Sequence, residues 1–147
     1  MTIPASRRPK RDTLQRARQR RGDEWEKELC NELQRLGWAR RWPKAWAGQP
    51  FDISAVIDGI SYAIECKRVL RGGNLAFSQL RPNEVENLSR HEDAGGISVV
   101  AIQRDEPFTR RFVPWREVRE PIEKGLRGSI RIQNYPADLK EVKQIEG

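Results

Sequence analysis

The sequence predicts an α/β fold, a mixed β-sheet sandwiched between helices. Two β-type runs, 51–57 and 60–69, are separated only by Asp58-Gly59. A helical apolar stripe precedes them, and a second helix followed by a buried strand comes after. Helix, strand, strand, strand, helix, strand is an order that places helices on a sheet containing at least one crossover.

The first helix is predicted from Asp23, an N-cap residue type, to Leu36, with Gly37 as the stop. Trp25, Leu29, Cys30, Leu33 and Leu36 recur at helical spacing and form its apolar stripe. Residues 38–42 read as a short strand ended by Pro43, and a Trp-, Gly- and Pro-containing loop follows. Asp-Gly between two β-type runs is a strong hairpin signal, because a type I′ turn needs positive φ at both central positions. After a basic loop over 68–74, Pro82 opens a helix that reaches His91, and Gly95-Gly96 lie just past its end. The apolar run 97–103 reads as a buried strand. Beyond it, 110–113 and 129–132 have strand character and 115–124 helical character.

At 147 residues the chain is expected to form one domain, 22–147, preceded by a flexible basic arm, 1–21. The formal net charge is +7. The arm alone holds Arg7, Arg8, Lys10, Arg11, Arg16, Arg18, Arg20 and Arg21 against the single acid Asp12, and the rest of the chain is neutral. A concentrated basic segment binds polyanions by counterion release, and DNA is the expected partner. A solubility tail or a contact with anionic membrane is the alternative. No apolar run approaches the roughly 18 residues of a membrane span, and no secretory signal is recognisable. Cys30 and Cys66 are far apart and outside any CxxC spacing, which argues against zinc and disulfide frameworks. A reduced, cytoplasmic setting is expected.

The hairpin sets up the chemistry. If Asp58-Gly59 is the loop, cross-strand partners sum to 117, so Asp52 falls opposite Glu65. Alternation then puts Glu65 and Lys67 on one face, and Tyr62, Ile64 and Cys66 on the other with Phe51, Ile53, Ala55 and Ile57. Directly opposed Cβ atoms lie about 4.5–5.5 Å apart, where like charges are destabilising. A divalent cation between the two carboxylates resolves that conflict. Oxygen ligands without imidazole favour Mg²⁺ or Mn²⁺. An ordinary solvated sheet face with a cross-strand ion pair is the competing account. The one histidine, His91, is expected on a helix surface. On the first helix Glu26 falls inside the apolar sector, where a carboxylate needs a partner. That partner is either the same metal site or a buried arginine.

Gln49-Pro50-Phe51-Asp52, twelve residues and then Glu65-Cys66-Lys67 resemble the PD-(D/E)XK nuclease signature, with Pro50 displaced by one position. Gly22-Asp23-Glu24-Trp25-Glu26-Lys27-Glu28-Leu29 resembles the opening helix of Holliday junction resolvases, and the similarity to RecU-type enzymes of bacteria and phages extends over about 22–103. The resemblance implies a restriction-endonuclease-like αβββαβ core with helices flanking the mixed sheet. It also implies a Mg²⁺-dependent endonuclease acting on four-way DNA junctions as a homodimer. Asp52, Glu65, the Cys66 main-chain carbonyl and Glu26 would hold metal, and Lys67 would stand beside the nucleophile. Glu84 occupies the place where RecU-type proteins tend to carry glutamine, and Gln79 is the nearest glutamine. The connection 43–50 leaves little room for the stalk insertion of those proteins. Arg68 and Arg71 would help the arm follow phosphates. Trp38, Trp42 and Trp46 are candidates for an interface or for DNA stacking, with at least one expected in the core. A flap, fork or duplex nuclease, and a non-catalytic nucleic-acid-binding module, are the competing functions.

Overall fold

The computed structural model describes residues 8–43 and 48–142, with only the backbone for 8–12. Its core is a five-stranded sheet in the order β1-β2-β3-β5-β6. The strands are β1 (Trp38–Arg41), β2 (Ile53–Ile57), β3 (Ile60–Val69), β5 (Ile97–Arg104) and β6 (Thr109–Pro114). A small two-stranded sheet joins β4 (Asn74–Ala76) to β7 (Ser129–Arg131). Only β3 and β5 run parallel, so the expected mixed sheet is present. Helix α1 (Arg8–Leu36) covers one face, and α2 (Pro82–Asp93) with α3 (Trp115–Glu123) covers the other.

The hairpin forms as its sequence requires. Asp58 and Gly59 take φ values of 52° and 78°, and Ile57 pairs with Ile60 through to Ile53 with Ile64. The residues after Arg104 complete the sheet with β6 and cap its second face with α3. Two hydrophobic clusters result. Trp25, Leu29, Leu33, Ile53, Ile64 and Val99 lie under α1, and Phe51, Ala63, Leu88, Val100, Trp115 and Val118 lie under α2 and α3.

Four expectations are corrected. Helix α1 begins at Arg8 rather than Asp23, because residues 10–21 contain neither Gly nor Pro and are mostly Arg and Gln with Lys10, Leu14 and Ala17, all good helix formers. Arg16, Arg18, Arg20 and Arg21 therefore stand on a helix continuous with the buried stripe. Arg7 lies outside the described residues, as do the side chains of Arg8, Lys10 and Arg11. Strand β2 starts at Ile53, and Phe51 packs in the α2–α3 cluster rather than with Ile53. The cause is a β-bulge: the Asp52 N–H donates to the Ile64 carbonyl at 3.1 Å, so Asp52 and Ile53 both oppose Ile64 and the alternation shifts by one. His91 is half-buried rather than surface-borne. Leu36, the last residue of the predicted stripe, is exposed.

Gly37 stops α1 for a reason of space. A Cβ there would stand 2.5 Å from the Val56 carbonyl oxygen, so the helix end packs directly on β2. Among the described residues no helix is long and apolar enough to cross a membrane.

Candidate active site

Three elements bring the candidate residues together: the bulge before β2, the C-terminal half of β3 and the first turn of α2. Asp52, Glu65 and Glu84 are all buried, at 6%, 2% and 8% exposure. Such acids are rarely buried without a partner, so their surroundings decide what they do.

Asp52 is held by two donors. The Cys66 N–H donates to Oδ2 at 2.8 Å, and Gln49 Nε2 donates to Oδ1. Gln49 is itself tied to α2, because Asn83 Nδ2 donates to its carbonyl at 2.9 Å. The Cys66 contact also fixes a second group. Within a strand, the N–H and C=O of one residue point to the same edge. Pairing with β2 ends at Ile53, so the Cys66 carbonyl is left facing the opened edge where Asp52 sits.

Glu65 and Lys67 share the face that carries Ala63, and that face is covered by α2 rather than solvated. The solvated-face account is thereby excluded. Lys67 Nζ lies 3.3 Å from Glu65 Oε2 and 3.1 Å from Glu84 Oε1. Glu84 also accepts from the Arg81 N–H at 2.8 Å, so it caps α2 while anchoring the lysine.

The electrostatics follow from burial. Desolvation, then a hydrogen bond to Glu84 and the charge of Asp52, push the Glu65 carboxyl up to about 10, against the pull of Lys67. Asp52 is also raised, by burial above all, although the Cys66 N–H and a hydrogen bond from Glu65 oppose the rise. Burial pushes Glu84 the same way, but hydrogen bonds from Glu65 and the Arg81 N–H, with the charge of Lys67, outweigh it and hold Glu84 low. Glu65 thus carries a proton at neutral pH and shares it with its neighbours. Its Oε1 is buried without a hydrogen-bond partner.

This donor set fits a divalent cation. A buried, unpartnered carboxylate oxygen, crowded acids and a free-edge carbonyl supply the oxygen ligands that Mg²⁺ or Mn²⁺ prefers. Among the described residues no three His, Cys, Asp or Glu side chains converge as a ready-made metal cage. The side-chain ligands would therefore be the pair Asp52 and Glu65.

Glu26 stands apart from that pair. It is 6% exposed, lies 3.9 Å from Arg41, and lines a cleft of about 400 Å³ with Gln19, Cys66, Lys67 and Arg68. The arginine foreseen as its alternative partner is present, and the cleft still opens on Lys67. Arg68 forms a two-pronged ion pair with Asp105, and Arg71 lies 3.4 Å from Glu106, so both meet acids of the β5–β6 turn. Gln79 is exposed on the turn after β4, and Glu84 rather than Gln79 reaches Lys67. The roles of Gln49 and Arg41 were missed. Gln49 belongs to the Gln-Pro-Phe-Asp run, and its spacing to Asp52 was the available signal.

No protein-family model matches the chain, and no curated protein matches it. Among solved structures it is similar to Hjc, a Holliday junction resolvase of the archaeal hyperthermophile Archaeoglobus fulgidus. The two share 30% sequence identity over 65% of this chain and 78% of that one, with a TM-score of 0.51.

Proposed function

Because that likeness places the chain in the family of the Holliday junction resolvases, we propose that it is a metal-dependent endonuclease that cuts four-way DNA junctions symmetrically. The observation that carries this reading is the pairing of Asp52 with the Cys66 N–H beside the buried Glu65–Lys67–Glu84 chain. It accounts for why acids are buried where a core would otherwise be apolar.

Asp52, Glu65 and the Cys66 carbonyl would hold Mg²⁺ or Mn²⁺. When bound, the ion activates water and stabilises the departing 3′-oxygen during in-line attack on a phosphodiester. Gln49 and the Cys66 N–H hold the Asp52 carboxylate in place and aim it. Glu65 would release its proton on taking up the cation. Lys67, held between Glu65 and Glu84, would offset the charge that grows on the scissile phosphate. Glu84 holds its ammonium in place from α2. Glu26, facing the cleft from α1, would complete the site through water. The products would be a 5′-phosphate and a 3′-hydroxyl.

Symmetric cutting calls for two active sites related by a twofold axis, hence a homodimer. The opening-helix motif and the basic helix favour a RecU-type enzyme of a bacterium or phage, working in the cytoplasm. The basic residues of α1 would follow phosphates without reading bases.

The test uses a synthetic four-way junction and a matching linear duplex, each end-labelled, with Mg²⁺ or EDTA. Paired symmetric nicks in the junction, absent in EDTA and sparse in the duplex, are expected. Equal cutting of both substrates would replace the resolvase with a duplex nuclease of the same chemistry. Binding without cutting in either metal would make the chain a nucleic-acid-binding module.

A further inference from the structure

Strand β1 is the outer edge of the sheet, and one of its faces carries tryptophans that the core does not use. Trp25 and Trp115 are buried, whereas Trp38 and Trp42 are 54% and 43% exposed. Alternation sets Trp38, Arg40 and Trp42 on one side, with Ala39 buried on the other. With Ser54 and Pro43 they line a groove of about 330 Å³.

The groove is built rather than incidental. Trp42 Nε1 donates to Ser54 Oγ at 2.8 Å, and its ring meets Phe51 edge-on at 6.0 Å, which fixes the indole plane. Arg40 is exposed, and neither an ion pair nor a side-chain hydrogen bond engages it among the described residues. Arg41 also borders the groove, but its guanidinium lies 3.9 Å from Asp23 and from Glu26. The groove adjoins the candidate active site along the chain, because the Trp42 N–H donates to the Asp52 carbonyl at 2.9 Å.

We propose that this groove stacks one unpaired nucleobase of the DNA substrate on its indoles, with Arg40 meeting the adjacent phosphate. Aromatic faces stack any base, and a guanidinium adds charge for the backbone. Inside a duplex both faces of a base are already covered. Only a nucleotide at a branch, flap or bulge offers one. The inference rests on the reading of the chain as a DNA enzyme and adds what it senses beside the scissile phosphate. A second copy of the chain is a poorer occupant. Pairing two β1 edges about a twofold axis would set Arg40 and Arg41 of each copy against those of the other, and like charges across antiparallel strands repel.

The test is binding in EDTA, where no cutting occurs. One probe is a short duplex with a single unpaired 2-aminopurine, and the other is the same duplex fully paired. The wild-type chain should quench the unpaired 2-aminopurine and prefer that duplex. Trp38→Ala should weaken binding to it by about tenfold or more, with the paired duplex unaffected, and Trp38→Phe should recover much of the loss. Unchanged preference in Trp38→Ala, absence of quenching, or failure of the wild type to bind either DNA would overturn the proposal. So would a dimer that Trp38→Ala converts to monomer in light scattering. Quenching that persists in a chain unable to cut with Mg²⁺ would sink the nuclease reading and leave this one standing.

Discussion

Lys67 on β3 reaches across to Glu84 on α2, with its ammonium 3.1 Å from Glu84 Oε1. A strand and a helix far apart in sequence thus meet through one charge pair at the candidate active site. Lys67→Ala should lower single-turnover cutting by about a hundredfold or more, the scale of losing a group that stabilises transition-state charge. Glu84→Gln should cost no more than about tenfold, because glutamine can still cap α2 and Lys67 keeps Glu65 at 3.3 Å. Both variants should bind junction DNA as the wild type does, measured by anisotropy in Ca²⁺. Equal loss of cutting and binding would count against the assignment.

Glu65 gives a pH-dependent stability with a definite sign. Its folded value, about 10 in the metal-free protein, exceeds that of an unfolded glutamate, about 4.3. The folded state therefore binds the extra proton. That stabilisation is complete below the unfolded value and is lost as pH rises through the folded one. Thermal melts in EDTA should show stability declining from neutral to alkaline pH, and Glu65→Gln should flatten the decline and raise the melting temperature at pH 8. Mn²⁺ should raise the melting temperature of the wild type and leave Glu65→Gln unmoved.

His91 has the opposite sign. Burial holds its ring below the usual histidine value, and both ring nitrogens face serines, Ser61 and Ser98, at 2.9 Å. Among the described residues no carboxylate hydrogen-bonds to it to favour the charged form. Its contribution is complete above about pH 6.5, the unfolded value, and is lost as pH falls through the folded one. Destabilisation between pH 7.5 and 5.5 should be smaller in His91→Asn than in the wild type. An identical change in both would remove the histidine from the account.

The basic N-terminal turns of α1 should appear in the salt dependence of binding. Replacing Arg16, Arg18, Arg20 and Arg21 by glutamine should weaken junction binding most at low salt. It should also reduce the slope of log affinity against log salt by up to about 3.6, or 0.9 for each phosphate no longer neutralised. A slope unchanged by the four substitutions would mean that the helix does not touch DNA.

Much of the site was legible because its first determinant is local. Asp58-Gly59 allows one tight turn, and that turn alone sets the register that brings residues 53–57 against 60–64, with Asp52 shifted by the bulge from the expected place opposite Glu65 to one opposite Ile64. The helical stripe of Trp25, Leu29, Cys30 and Leu33, and the inward position of Glu26, follow from a period any reader can count. Asp52, Glu65 and Lys67 are candidates from these short-range rules together with the resemblance of the motif that carries them.

What the sequence determined by itself is therefore the hairpin, its register and the set of chemical groups gathered at its open end. Tertiary structure decided the rest, because the deciding energies act between distant segments. The bulge that turns Phe51 away from Ile53 reflects the pull of the α2–α3 core on one side chain and the Ile64 carbonyl on Asp52. Glu65 becomes a proton-holding acid only because α2 excludes water from its face, and no local pattern encodes that desolvation. Whether Glu84 or Gln79 faces Lys67 depends on where Pro82 starts the helix relative to β3. The groove beside Asp52 exists because the α2–α3 core does not extend over that face of β1 and β2, leaving its tryptophans exposed.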